Sequence, residues 1–325
     1  MVATYLVTGG CGFIGSHLCE ALINGGAQVR VLDDLSTGSV DNVPKEVTII
    51  EGDVADPATV TAAIEGASGC FHLAAITSVE RSTRDWFASH RTNLSGTIAV
   101  FDAAQRVGPQ PIPVVYASSA AVYGDCHHLP IRESARAQPL SAYGADKYAC
   151  ELHARIASDV HQVPTVGLRF FNVYGPRQDP RSPYAGVISI FCERLLEEQS
   201  INVFGDGTQT RDFIFVSDVV GALVMAMKQA PRRPSVFNVC TGRATSVLDL
   251  ARLIAKLCGS SPDIRFHPPR RGEIIHSLGD CSLIRRRFDL PEPIQLNAGM
   301  EKTLSWMQTR TASAYQGRDL AEKSD

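Results

Sequence analysis

A chain of 325 residues can form one large α/β unit or a main domain with a smaller partner. With 44% hydrophobic and 20% charged residues it is neither disordered nor fibrous. A formal net charge of −3 excludes a general nucleic-acid binder, so any anionic ligand must be held by local arginines and backbone amides.

The nine cysteines are scattered from Cys11 to Cys281, odd in number and without a CxxC pair. That pattern fits reduced thiols in a cytoplasmic protein, not a disulfide framework or a metal site. The apolar N-terminus lacks a positive n-region and a cleavage site, and reads as a strand rather than a signal peptide. No run of about eighteen apolar residues occurs, so no membrane span is expected.

In chain order, Thr4–Thr8 is a short apolar run that ends in glycines, and Gly12–Asn24 then has helical spacing. Further strands are expected at Gln28–Leu32, Val47–Ile50, Cys70–Leu73 and Ile112–Tyr116. Helical stretches lie near Pro57–Ile64, Thr92–Arg106 and Ala145–Val160. Strands alternating with crossover helices imply a doubly wound parallel sheet of the Rossmann type, covered on both faces. Pro164–Phe170 is a further strand, Asn172–Gly186 reads as a long loop rich in Pro, Gly and Arg, and Val187–Glu198 as a helix. The expected division is a sheet domain over 1–170, a smaller α/β lobe over 171–308 with segments that can return to the main sheet, and a polar tail over 309–325 without packed structure.

The first strand runs into Gly9-Gly10-Cys11-Gly12-Phe13-Ile14-Gly15. A phosphate at a helix start needs bare backbone, free amides and the positive end of the helix dipole. A glycine trio also fits a tight turn, but its place between strand and helix favours a dinucleotide site. Asp33 ends the second strand, where such folds put a carboxylate on the adenosine ribose. With Asp34 beside it, a 2′-phosphate would be repelled, which favours NAD over NADP. Asp53 follows the third strand, either at the adenine edge or as a helix cap before Pro57.

Tyr143 and Lys147 are four apart and share a helix face. An ammonium beside a phenol favours the phenolate, which makes Tyr143 a candidate base. Ser119 lies just past an apolar strand, on the edge where open parallel sheets bind ligands, and could pass a proton between a sugar hydroxyl and the tyrosine.

The ordered set Thr8–Leu18, Asp33, His72-Leu73-Ala74-Ala75, Asn93, Ser118–Asp125, Tyr143 with Lys147, and Arg169–Arg177 resembles the extended short-chain dehydrogenases. More narrowly, it resembles the NAD-dependent nucleotide-sugar epimerases, over nearly the whole chain. The resemblance implies that Tyr143 removes the sugar 4-OH proton, Ser119 relays it, and Lys147 positions the nicotinamide ribose. It implies cofactor contacts at Gly9, Gly12, Phe13, Ile14, Gly15, Asp33, Asp34, Ser36, Thr37, Gly38, Asp53, Val54, Leu73, Ala74, Ala75, Asn93 and Phe170. For a UDP-sugar substrate it implies Ser78, Asn172, Gln178, Tyr184, Val187, Val203, Arg211, Arg270, Glu273 and Ser277, with the two arginines on the diphosphate. A homodimer through helices near 92–106 and 145–160 is implied as well.

Four departures refine this expectation. Dehydratases of the superfamily carry an Asp-Glu pair after the serine, and here it is Ala120-Ala121, so no acid stands ready to expel water. Ser277 stands where some members have a tyrosine, leaving room for an N-acetyl group at C2. Asp146 replaces a usual serine and would compete for the Lys147 ammonium if it faced the site. Phe170 replaces a common tyrosine. The alternatives are a uronate epimerase, a decarboxylase, a dehydratase or a non-catalytic NAD(H)-sensing protein.

Overall fold

The computed structural model describes residues 2–179, 186–231, 233–261, 263–270 and 274–321. The first half runs β1 (Thr4–Thr8), α1 (Phe13–Asn24), β2 (Gln28–Asp33), β3 (Thr48–Glu51), α2 (Pro57–Ile64), β4 (Gly69–His72), α3 (Val79–Arg84), α4 (Trp86–His90), α5 (Gly96–Arg106), β5 (Val114–Ser119), α6 (Ala142–Asp159) and β6 (Thr165–Phe170). The second runs β7 (Asn172–Tyr174), α7 (Val187–Leu196), β8 (Ile201–Phe204), β9 (Thr210–Phe215), α8 (Val216–Lys228), β10 (Ser235–Val239), β11 (Ala244–Ser246), α9 (Val247–Cys258), β12 (Ile264–His267), α10 (Ser282–Phe288) and α11 (Leu296–Ala321).

Seven strands form one parallel sheet in the order β10-β6-β5-β4-β1-β2-β3. Successive β1 residues face opposite sides. Val7 joins the core with Leu18 and Leu22 of α1 and Leu223 of α8, while Leu6 joins Val60 of α2, Phe101 of α5 and Ala154 of α6. Burial on both faces is why the strands read as apolar runs rather than alternating ones. Strand order reverses between β1 and β4, which opens a crevice beyond their carboxyl ends.

The smaller lobe holds a three-stranded sheet, β11-β9-β7, and a parallel pair, β12-β8. Ile188 and Phe191 of α7, Leu250 and Ile254 of α9, and Met300 and Leu304 of α11 close its core. Helix α9 starts under a Ser246 cap and stops at Gly259, where φ is +65°. Between these parts, β10 carries the chain back to the main sheet beside β6.

One expectation fails here. Asn172–Tyr174 is a strand paired with Phe213–Phe215, not loop. Helix α11 is anchored on buried Met300, Leu304 and Met307 and runs to Ala321.

Candidate active site

At the crevice, the turn after β1 is built from close backbone approaches. Gly9 has φ +69°, and a Cβ there would stand 2.7 Å from Ala74 N. A Cβ on Gly15 would stand 2.2 Å from Gly9 O, so α1 can sit on this turn only with glycine there. Gly12 caps α1 without a side-chain hydrogen bond, leaving the first-turn amides at Phe13 and Ile14 open to a phosphate. Gly38 belongs to the same packing, since its Cβ would stand 2.8 Å from the Cys11 carbonyl carbon.

Asp33 is buried, with Oδ2 accepting from Cys11 N (2.9 Å) and Oδ1 from Leu35 N (2.9 Å). Burial raises its pKa against the pull of those two amides. Asp34 is exposed, and its Oδ1 is occupied by the Ser36 amide (3.0 Å) and hydroxyl (2.6 Å). Thr37 is exposed next to that turn. Asp53 is not a helix cap. Asp56 caps α2, while Asp53 pairs with Arg91 at 2.6 Å. Val54 packs against Gly96 at the start of α5.

A π-type turn over Arg91–Ser95 joins α4 to α5 and carries Asn93. The fully buried Asn93 amide spans Ile76, accepting from its N–H (2.8 Å) and donating to its carbonyl (3.1 Å). This fixes the segment after β4 that contains Leu73, Ala74 and Ala75. Behind it, His72 lies between Thr8 Oγ1 (2.7 Å) and Thr97 Oγ1 (2.9 Å). Burial, and then the Lys147 charge, push its pKa down to about 3, so it is neutral.

The catalytic candidates meet where β5 ends against α6. Ser119 is the last residue of β5, in register with Phe170 of β6, and its Oγ accepts from Ala121 N (3.1 Å). Ser141 caps α6 by accepting from Gly144 N (3.0 Å), which puts Tyr143 in the first turn. A Cβ on Gly144 would stand 2.6 Å from Ala121 O, so the helix presses directly on the turn that follows Ser119. Tyr143 N donates to Ser82 Oγ (3.3 Å). Lys147 is 2% exposed, donates to Ala117 O (2.9 Å), and holds its Nζ 5.9 Å from the Tyr143 ring centre. Asp146 does not take this ammonium. It turns to the other side of α6 and bonds His90 Nδ1 at 2.8 Å.

One support beneath the site was missed in the sequence. Glu151 follows Lys147 by four residues on the buried face of α6 and forms a two-pronged pair with Arg169, at 2.8 and 2.6 Å. Ser118 Oγ also donates to Glu151 (2.5 Å), and Arg169 donates to Tyr123 OH (2.7 Å). These contacts lock β5, β6 and α6 together directly behind Ser119. The four-residue spacing Tyr143, Lys147, Glu151 was the available signal.

In the smaller lobe, Thr210 N donates to Ile275 O (2.9 Å) and Ser277 N to Thr210 O (3.1 Å). This seam puts Ser277 beside Arg211, whose Nη1 donates to Thr210 O (2.9 Å). Arg270 lies flat on Phe204, 4.0 Å from the ring centre. Asn172 is exposed at the start of β7, and Gln178 donates to Val173 O (3.3 Å). Val187 opens α7 and is partly buried. The Val203 side chain is spent on the lobe core, leaving only its backbone for a ligand. Ser78 is buried and caps α3, accepting from Arg81 N (2.8 Å). Tyr184 and Glu273 lie outside the described residues. A cleft of about 580 Å³ between Tyr123 and Gln138 contains none of Ser119, Tyr143 and Lys147.

An open helix start, a buried carboxylate at the end of β2 and a Tyr–Lys pair at the strand ends form a site of the dinucleotide-dependent type. Residues 5–240 match the model of the NAD dependent epimerase/dehydratase family, and the chain belongs to that family. It is 36% identical over 313 residues to a UDP-glucose 4-epimerase of Mycolicibacterium smegmatis, covering 94% of this chain and 99% of that protein. The fold superposes on Thermotoga maritima UDP-glucose 4-epimerase with UDP-glucose at a TM-score of 0.91, with 32% identity and coverage of 95% and 99% of the two chains. It also superposes on a Methanobrevibacter ruminantium UDP-N-acetylglucosamine 4-epimerase in complex with UDP-N-acetylmuramic acid, at TM-score 0.89, 33% identity and coverage of 95% and 100%.

Proposed function

We propose that this protein is an NAD-dependent UDP-hexose 4-epimerase that accepts a C2 N-acetyl group. The observation that carries this reading is the contact of α6 with the turn after Ser119, which gathers Ser119, Tyr143 and Lys147 at the carboxyl edge of the sheet.

NAD bound here would supply reversible hydride acceptance at the sugar C4. The glycine turn and the open start of α1 hold its diphosphate, and Asp33 accepts from the adenosine ribose hydroxyls. The turn at Asp34–Gly38, Asp53-Val54, Leu73–Ala75, Asn93 and Phe170 frame the rest of that site. Lys147 spends one donor on Ala117 O and turns the others to the nicotinamide ribose. Tyr143 takes the 4-OH proton through its phenol oxygen, with Ser119 Oγ as relay, and gives it back after the keto sugar has turned over. Lys147 places a positive charge beside that ring throughout.

Arg211 and Arg270 grip the diphosphate, so the hexose can rotate while the nucleotide stays fixed. Ser78, Asn172, Gln178, Val187, the Val203 backbone and Ser277 line the sugar and nucleotide sides, with Tyr184 and Glu273 on the same segments. Serine at 277 leaves the volume that an N-acetyl group fills. Ala120-Ala121 offers no acid to expel water, which favours epimerisation over dehydration.

The working form is a cytoplasmic homodimer. On α6 and its C-cap, Leu152, Ile156 and Val160 are 48%, 51% and 64% exposed at four-residue spacing, and Ile98 of α5 is exposed as well. Such a stripe fits a helix-pair interface. The nine cysteines are all unpaired, as in a reducing compartment. Among the described residues no helix is long and apolar enough to cross a membrane.

Purified protein without added cofactor, given UDP-GlcNAc or UDP-glucose and followed by NMR of the anomeric protons, should form UDP-GalNAc and UDP-galactose. No conversion of either, with or without added NAD, overturns the reading.

A further inference from the structure

Outside the Ser119, Tyr143 and Lys147 cluster, next to the segments that carry Arg211 and Ser277, two cysteines lie close together. Cys240 follows β10, and Cys281 immediately precedes α10. Cys281 packs against the buried cluster that contains Cys240, and each thiol shifts the other's titration. Cys240 is buried and Cys281 is half-buried.

The approach of their two backbone segments is built into the fold. A Cβ on Gly279 would stand 2.5 Å from Cys240 Sγ, so only glycine lets segment 279–281 lie this close. Both segments hang on one carboxylate. Asp212 accepts from Thr241 N (2.8 Å), Thr241 Oγ1 (2.6 Å), Gly242 N (2.9 Å) and Gly279 N (3.3 Å). Asp212 thus ties the segments that carry Cys240 and Cys281 to one point.

Their chemistry is divided. Contact with Cys240 and the Arg285 charge lower the Cys281 thiol against burial and Asp212. The same contact, with burial, pushes Cys240 up. A cleft of about 90 Å³, lined by Cys240, Arg285, Asp218 and Pro291 but not by Cys281, opens on the Cys240 side. Arg285 Nε is buried there with no hydrogen-bond partner, an unused donor for an oxygen ligand.

We propose that Cys240 and Cys281 form a peroxide-responsive thiol pair that closes reversibly to a disulfide. The Cys281 thiolate attacks one oxygen of a hydroperoxide such as hydrogen peroxide. The O–O bond breaks, an S–O bond forms, and the departing hydroxide takes a proton to become water. Cys240 then attacks the resulting sulfenic sulfur, the S–S bond forms, and the second oxygen leaves with the Cys240 proton as water. Two thiols are oxidised, one peroxide is reduced, and a dithiol reductant reverses the change. This chemistry stands whatever sugar the active site takes.

The test treats the full chain with a few equivalents of hydrogen peroxide and maps its thiols by mass spectrometry. The expected result is loss of two of the nine thiols with a Cys240–Cys281 linkage, restored by dithiothreitol and formed more slowly at pH 6 than at pH 8. Cys240→Ser should stop at a sulfenic acid on Cys281, trapped by dimedone, and Cys281→Ser should give neither product. Unchanged Cys240 and Cys281, or linkage of another pair first, overturns the proposal, as does over-oxidation of Cys281 in the wild type without linkage.

Discussion

The two halves of the molecule are specified in different ways. In the sheet domain the site is set by backbone approaches: Gly9 on Ala74, Gly15 on Gly9, Gly144 on Ala121. A side chain there would displace main chain that a seven-stranded sheet holds in place. In the smaller lobe the sheets have three and two strands, with Arg211 on the middle strand β9 and Arg270 in the segment after β12. On the proposed reading, the first half fixes where the chemistry happens, and the second holds the substrate against it by replaceable side chains. Changes in the first half should destroy turnover or the fold, and changes in the second should shift substrate affinity.

The largest effect is expected at the α6–β5 contact. Tyr143→Phe should lower kcat by on the order of 10²–10⁴-fold. Bound NAD, measured after denaturation, should stay at the wild-type level. Loss of NAD with activity would turn a base into a packing residue and blur the comparison.

Glu151→Gln tests the support under that contact. Arg169 and Glu151 are about 7% and 6% exposed, and breaking a buried pair costs about 3–5 kcal/mol, readable by urea unfolding. A cost below about 1 kcal/mol, the range of a surface pair, would show that the lock behind Ser119 is not structural.

In the smaller lobe, Arg211→Ala should raise KM by roughly 10–100-fold, the loss of one charge-assisted contact at about 1.5–3 kcal/mol. NAD content should not change. Loss of NAD would mean that the lobe shapes the cofactor site as well.

The smallest effect is a pH signature. His72 is held at about 3 against an ordinary 6.5, so between those values the unfolded chain binds the extra proton and stability rises with pH. Its contribution is fully present above about 6.5 and drains as pH falls toward 3. Buried Asp33, Asp212 and Asp218 are shifted upward and act in the opposite sense, but they cancel when a His72→Asn variant is subtracted. The difference in unfolding free energy should grow by about 1.4 kcal/mol per pH unit between pH 4.5 and 5.5 and level off above 6.5. A flat difference would place the proton on His72 in the native state.

The same contrast decides what could be read from the sequence. Apolar runs, crossover helices and the glycine turn depend on neighbours close in the chain, and they gave the sheet, α1, Asp33 and the Tyr143–Lys147 face. Strand β7 was hidden because three residues in a Pro- and Gly-rich stretch become a strand only by pairing with β9, some forty residues on. Strand β5 runs to Ser119 rather than Tyr116, since Ala117 and Ser118 are held by Leu168 and Arg169 of β6 rather than by their own propensity. The Asp56 cap was visible as an aspartate before a proline at the helix start. That Asp146 faces His90 depends on the turn between α4 and α5, which no local pattern announces.

The central claim is that hydride leaves C4 and returns to it within one active site. The direct measurement uses UDP-glucose deuterated at C4, turned over in ordinary water with no added cofactor. The account predicts UDP-galactose that keeps deuterium at C4. Loss of the label to solvent would mean that the C4 hydrogen leaves as a proton, and would contradict a mechanism built on Tyr143, Ser119 and a retained dinucleotide.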